Sequence, residues 1–184
     1  MFEKIIKQIV SVLRHKKINV VLIGGYASNL YGEVRLTKDI DFLLGVGLEG
    51  VEDALSIIPK ANLKPISPTP LQSALRDHYL RCIYGDNQMI VDILFGSSEY
   101  ERAIFERAKT ITIDRTKVLV ATMEDVIIMK AQANRARDWD DIRGILLRNP
   151  ECDNKYIVRW LMTIDGEQET DYLMKFRELV KSLD

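Results

Sequence analysis

Apolar residues near the start of the chain recur at Phe2, Ile5, Ile6, Ile9, Val10 and Leu13. This is the three-and-four spacing of an amphipathic helix with one face on a core. At 19–23 the pattern switches to a β-branched run that stops at Gly24-Gly25, which predicts a strand ending in a tight turn. YASNLYG then predicts a short helix before Gly32, and DIDFLL at 39–44 a second strand. Gly45, Gly47 and Gly50 mark a loop, and VEDALSII a short helix closed by Pro59. KPISPTP, with Pro65, Pro68 and Pro70, is expected to be an irregular surface loop.

Further along, HYLRCIY and QMIVDIL are β-type runs separated by Gly85-Asp86-Asn87, the signal of a hairpin. SEYERAIFERAK reads as a helix with Ser97 or Ser98 as its N-cap, and TITIDRTKVLVA as short strands. From Thr122 the period becomes helical, over roughly 122–134, 138–148, 153–163 and 168–182. The chain therefore divides into an α/β front, residues 1–120, and a helical back, residues 121–184. No internal repeat is visible.

Composition narrows the class without choosing the chemistry. With 184 residues, 47% apolar and 29% charged, the chain is long enough for one domain with a real core and is not of disordered type. Its 26 basic and 27 acidic residues give a formal charge of -1, so indiscriminate binding to nucleic acid is not expected, although a neutral total can hide a basic face. The first residues carry no continuous apolar run before a small-residue cleavage site, and no stretch is long enough to span a bilayer. Cys82 and Cys152 match no zinc or CxxC pattern and read as unpaired thiols of a reducing compartment, so a cytoplasmic location without membrane contact is expected.

The chemistry is concentrated at Asp39-Ile40-Asp41. In a strand, Asp39, Asp41 and Leu43 face one way and Ile40, Phe42 and Leu44 the other. Two carboxylates about 4 Å apart repel by about 4 kcal/mol at an effective dielectric of about 20, so such a pair calls for a cation. The fitting cation is Mg²⁺ or Mn²⁺, a hard ion that takes oxygen ligands and keeps positions for substrate phosphates. Asp92, alone among the apolar residues of MIVDILF, supplies a third acid. Three carboxylates on adjacent strands suit two metals and an in-line phosphoryl displacement. The plain alternative is a pair of surface acids at 39 and 41 and an Asp92 salt-bridged to an arginine at a strand rim. Gly24-Gly25, placed after a strand and opening a helix, leaves backbone N–H groups unobstructed toward an anion such as a nucleotide phosphate. The glycines at 45, 47 and 50 fit neither GxGxxG nor a Walker motif and read as an ordinary loop.

Gly24-Gly25, then thirteen residues, then Asp39-Ile40-Asp41-Phe42, with Asp92 in VDILF, resembles the signature of the DNA polymerase beta-like nucleotidyltransferase superfamily. The stretch VATMEDVIIMKAQANRARDWDDIRGIL, residues 120–146, is similar to a region of small AbiEii-like, toxin-type nucleotidyltransferases. The resemblance implies an α/β nucleotidyltransferase fold, a mixed central sheet flanked by helices, followed by a C-terminal helical bundle. It implies Mg²⁺- or Mn²⁺-dependent transfer of a nucleoside monophosphate from an NTP to a hydroxyl, with pyrophosphate released. Asp39 and Asp41 would then bind both metals, and Asp92 the catalytic metal while helping to activate the acceptor. Gly24, Gly25 and Ser28 would cradle the β- and γ-phosphates, Lys130 would neutralise phosphate charge, and Asp138 would orient Lys130 or the acceptor. Arg35 and Thr37 match residues that precede the DxD of these relatives and would contact phosphate or acceptor.

Several of these positions also have plain structural readings. Lys130 follows the apolar run Val126-Ile127-Ile128-Met129, so its stem should be partly buried and its ammonium should reach a cleft, though a solvated lysine fits as well. Asp138 can instead N-cap the helix DWDDIRGILL. Trp139 and Trp160 suit base stacking or core packing, and His15 and His78 have no evident partners. Lys130, Arg135, Arg137, Arg143 and Arg148 stand against three acids between 130 and 148, a mild sign of a phosphate-rich partner or a solvated helix face. The acceptor stays open among a tRNA, a protein hydroxyl and a small molecule such as an aminoglycoside. A toxin of a toxin–antitoxin pair, with a cognate antitoxin, is one role. A non-catalytic, antitoxin-like nucleotide- or partner-binding module on the same fold is the alternative. Tyr172, Leu173, Phe176, Leu179 and Val180 form an apolar stripe that serves either a homodimer or the protein's own core as a monomer.

Overall fold

The computed structural model describes residues 2–85, 89–96, 98–164, 166 and 170–183. They form two compact units. The first comprises residues up to Tyr26 and Leu36–Ala121, the second Ala27–Arg35 and Thr122 onward.

The first unit is built on a sheet of seven strands: β1 (Val20–Ile23), β2 (Asp39–Leu44), β3 (Leu63–Pro65), β4 (Tyr79–Tyr84), β5 (Met89–Phe95), β6 (Lys109–Ile113) and β7 (Thr116–Val120). Their order is β3-β4-β5-β2-β1-β7-β6. The sheet is mixed: β2 runs parallel to β5 and β1 parallel to β7, whereas the remaining neighbours are antiparallel. The central position of β1 explains its unbroken apolar run VVLI, buried at every residue. In β2, Ile40, Phe42 and Leu44 are fully buried while Asp39 and Asp41 are half-buried, the alternation expected of one strand with two different faces.

Helix α1 (Phe2–His15) lays Ile5, Ile6, Ile9, Val10 and Leu13 on β1, β6 and β7. Burying five such side chains contributes on the order of 10 kcal/mol before conformational entropy is subtracted. Helix α2 (Gly24–Tyr31) opens on the glycine pair, and α3 (Val51–Ile57) runs into a 3₁₀ turn, Ile58–Ala61, around Pro59. Helix α5 (Glu99–Arg107) is capped by Ser98: its hydroxyl accepts from the Glu101 N–H at 3.2 Å, and the Glu101 carboxylate accepts from the Ser98 N–H at 2.8 Å. Ser97, the other cap candidate, lies outside the described residues.

The proline-rich stretch departs from its expected irregularity. Lys64 and Pro65 belong to β3, and Pro70 begins helix α4 (Pro70–Asp77). Both placements are ones a proline tolerates. At a sheet edge its missing N–H removes no ladder bond, and at the first position of a helix that N–H has no intrahelical partner anyway. The hairpin between β4 and β5 forms, with Tyr84 opposite Met89, and the turn residues Asp86 and Asn87 lie outside the described residues.

The second unit is helical: α6 (Met123–Ala133), α7 (Ala136–Arg148), α8 (Asn154–Ile164) and α9 (Asp171–Leu183), joined by residues 27–35. Thr122 caps α6, accepting from the Asp125 N–H and donating to the Asp125 carboxylate at 2.7 Å, which also accepts from the Tyr156 hydroxyl at 2.9 Å. That satisfies a carboxylate that is otherwise sealed from solvent. Helix α7 starts before Asp138: Arg135 is its N-cap residue, so Asp138 occupies the first turn rather than the cap. Of the C-terminal stripe, Leu173 and Phe176 are fully buried, on a helix that packs against α6, α7 and α8. Trp160 is buried, and Trp139 is half-buried with its indole N–H donating to Asn134 Oδ1 at 2.9 Å.

Candidate functional site

The parallel register of β2 and β5 sets Asp41 directly beside Asp92 and Asp39 beside Ile90. One carboxylate oxygen each from Asp39, Asp41 and Asp92 lies within 4.8 Å of the others, and among the described residues no other trio of His, Cys, Asp or Glu is so placed. The reason is sequence periodicity. Asp39 and Asp41 share a face of β2, and the strand register brings Asp92 to the same level.

Asp41 is held against the β1–α2 turn. Gly25 N–H donates to Asp41 Oδ2 at 3.3 Å. Gly24 has φ +64°, and a Cβ added there would lie 2.0 Å from Asp41 Oδ2. This one position therefore needs glycine twice over, for its backbone and for the approach of the carboxylate. The second glycine's amide is aimed at Asp41 itself.

Asp92 is 5% exposed. The charge is met by β4, where Arg81 stands directly opposite. Arg81 Nε donates to Asp92 Oδ1 at 2.9 Å and a terminal guanidinium nitrogen to Oδ2 at 2.8 Å, while the Tyr79 hydroxyl donates to Oδ1 at 2.8 Å. Asp92 thus belongs both to the acidic trio and to an arginine pair, two readings that its sequence context had set against each other. Burial first, then the hydrogen bond to Asp92, raises the Tyr79 phenol, and the hydrogen bond to Asp92 keeps Arg81 more firmly protonated than a free arginine. Burial, aided by the Asp92 charge, pushes the Cys82 thiol up to about 12, which makes it an inert core residue. Cys82 and Cys152 are both free and buried.

Thr37 lies half-buried in the segment leading to Asp39, also in the first unit. Ser28, Arg35, Lys130 and Asp138 belong to the second unit. Ser28 is buried on α2, where its carbonyl accepts from Gly32 N–H at 2.9 Å. Arg35, Lys130 and Asp138 are brought together in a chain of ion pairs. Arg35 donates to both oxygens of Asp141 at 2.8 and 2.7 Å. Lys130 Nζ lies 2.5 Å from Asp141 Oδ2 and 3.4 Å from Asp138 Oδ1, and Arg135 Nε donates to Asp138 Oδ2 at 2.6 Å. Asn29 clasps the backbone of Arg35, its Nδ2 donating to the Arg35 carbonyl at 2.7 Å and its Oδ1 accepting from the Arg35 N–H at 3.1 Å. The Lys130 stem is buried as its apolar flank predicts, but its ammonium sits between two aspartates rather than open to a cleft. Burial works to raise the Asp141 carboxyl, yet the hydrogen bonds from Arg35 and Lys130 outweigh it and hold that carboxyl below the usual range.

Sequence reasoning missed Tyr79, Arg81 and Asp141. The first two were legible in principle: a hairpin that pairs Tyr84 with Met89 also pairs Arg81 with Asp92, and Tyr79 shares the Arg81 face. Asp141 reads as a first-turn acid, and its cations come from distant segments that no local pattern announces.

Comparison with known proteins bears on the fold and the family. The solved structure of the antibiotic-resistance factor ANT(2'')-Ia superposes with a TM-score of 0.61 at 12% identity, over 89% of this chain and 91% of that one. The lincosamide antibiotic adenylyltransferase LnuA, lincomycin-bound, gives 0.54 at 15% identity, over 78% and 95%. An antigenic nucleotidyltransferase-like protein from Paracoccidioides brasiliensis gives 0.58 at 14% identity, over 97% and 91%. At these identities the likeness establishes the fold. No curated protein matches the chain in sequence. The family model described as "Nucleotidyl transferase of unknown function (DUF2204)" matches residues 2–183. The chain belongs to that family and is a nucleotidyl-transferring enzyme of mixed-sheet α/β fold.

Proposed function

We propose that the enzyme moves a nucleoside monophosphate from an NTP to a hydroxyl acceptor, with divalent metal held by Asp39, Asp41 and Asp92. The observation that carries this is the convergence of three carboxylates beside a glycine turn too tight for any side chain. The donor set fits the ion: oxygen ligands only, grouped within 4.8 Å, with two of the three half-exposed toward solvent. Bound Mg²⁺ or Mn²⁺ would supply charge neutralisation of the triphosphate and a more acidic acceptor hydroxyl.

The chain's own residues do the rest. Asp39 and Asp41 hold their positions on a rigid central strand, Asp41 fixed by Gly25 N–H. Asp92, set beside Asp41 by the parallel register, is assigned to help activate the acceptor hydroxyl. Gly24 and Gly25 are assigned to the turn that seats Asp41 and brings it to the substrate phosphates. Thr37 is assigned to the substrate approaching Asp39. In the second unit, Arg35 and Lys130, with Asp138 as their support, are assigned to anionic substrate groups.

A small-molecule hydroxyl is the first acceptor to test, since one structural neighbour is described as an antibiotic-resistance factor and another as a lincosamide antibiotic adenylyltransferase, lincomycin-bound. tRNA and protein hydroxyls are the other arms, and a toxin role of AbiEii-like type, with a cognate antitoxin in a cytoplasmic setting, is proposed alongside them. Among the described residues no helix is long and apolar enough to cross a membrane. With Mg²⁺ or Mn²⁺, at least one of the α-labelled NTPs should transfer label to an aminoglycoside and lincosamide panel, total tRNA, or the protein itself. Failure of every nucleotide in every arm overturns the reading. Gly24→Ala is expected to reduce the transfer rate about 100-fold by displacing the Asp41 carboxylate, with far-UV circular dichroism unchanged.

A further inference from the structure

The acidic trio is not electrically open. Arg81 closes a two-point fork on Asp92, engaging both oxygens, and Tyr79 takes a further position on Oδ1. A carboxylate has about four acceptor positions on its two oxygens, so this pairing leaves Asp92 little with which to ligate an ion. The two partners differ in freedom. The Arg81 side chain is 51% exposed and that of Asp92 7%, so the arginine can leave for water and the aspartate cannot. A resting place for the departing cation exists nearby, since the Arg81 guanidinium carbon already lies 5.9 Å from the centre of the Tyr79 ring.

We propose that Arg81 is an internal competitor for the divalent ion, its guanidinium occupying Asp92 in the metal-free protein and withdrawing when that carboxylate joins Asp39 and Asp41. This rests on the reading of the trio as metal ligands. Without metal, three like charges gathered within 4.8 Å destabilise β2 and β5, and Arg81 neutralises one of them. With metal, the same guanidinium repels the ion. Apparent affinity is therefore lowered by the fraction of time that Asp92 is released. Tyr79, uncharged and bound to one oxygen only, keeps the carboxylate aimed through the exchange.

The test is titration of Mn²⁺ alone, without nucleotide, into the full chain, with free Mn²⁺ followed by electron paramagnetic resonance. Arg81→Gln is expected to bind Mn²⁺ about tenfold more tightly than wild type, since both the competing bonds and the repelling charge are gone. Arg81→Lys keeps the charge but loses the fork, and is expected to gain about threefold. Tyr79→Phe should stay within about twofold of wild type. If Arg81→Gln folds, as judged by circular dichroism, and binds Mn²⁺ equally or more weakly, Arg81 positions Asp92 rather than competing for it and the proposal fails. Should that variant not fold, Arg81→Lys decides, and unchanged affinity there is the overturning result. Wild-type binding that Asp41→Ala abolishes shows that the metal site itself is real, so a failure confined to the Arg81 variants counts against this inference alone. Absence of any such binding overturns both.

Discussion

Asp41→Ala is expected to keep its fold and lose nucleotidyl transfer by about a thousandfold, the scale of removing a principal electrostatic group from a transition state. Asp41 is flanked by Asp39 on its own strand and lies beside Asp92 across the parallel register, so its removal cuts the trio at its middle. The stability consequence runs the opposite way. Taking one negative charge out of a cluster of three relieves mutual repulsion, and the neighbours that fix Asp41 are a glycine turn that needs no carboxylate to form. The melting temperature should therefore stay level or rise, the usual exchange between activity and stability at a charged site. Labelled-nucleotide transfer and a thermal melt on the same preparation check both halves. Activity within tenfold of wild type would remove Asp41 from the metal site.

The second large effect is expected in the helical unit. Lys130→Met keeps a stem of similar length but withdraws the ammonium that bridges Asp138 and Asp141, two carboxylates whose side chains are 4% and 8% exposed. Breaking such a buried contact from one side costs about 3 kcal/mol, the lower end of the range because Arg35 and Arg135 still hold one aspartate each. For a chain of this size that corresponds to a fall in melting temperature of roughly 6–12 °C. The pH dependence supplies a second readout. Because the folded Asp141 carboxyl is held below its ordinary range, its stabilisation is present above the unfolded value of about 3.9 and is lost as pH falls through the lower folded value. In Lys130→Met the folded value moves back up toward the ordinary one, so the loss of stability between neutral and acid pH should shrink. Equal melting curves for the two proteins across pH 3–7 would show the bridge to be energetically idle.

Much of the fold was legible because its strands and helices keep strict periods. β1 is a fully buried strand in the middle of a sheet, and β2 alternates its apolar and acidic faces. The proline stretch was not legible, because an edge strand and a helix start both accept proline while local composition reads only turn. At the site, the three aspartates stood out as charges in apolar surroundings. What answers them did not: Arg81 looks like an ordinary surface residue until strand register sets it opposite Asp92, and in the helical unit Asp141 does so until Arg35 and Lys130 are brought to it. Periodicity announces where a charge is costly, whereas the identity of its partner is a tertiary fact.

The chain passes between its two units after Tyr26, after Arg35 and after Ala121, so residues 27–35 lie between two strands of the sheet in sequence but belong with the last third of the protein. A single cut cannot part the units. A fragment stopped at Ala121 would keep Arg35 without Asp141 and would carry Gly32 without Ile145, the side chain that now stands against it. Any attempt to express the sheet by itself, or to graft a foreign helical half onto it, has to carry the 27–35 excursion along with the helices or rebuild it.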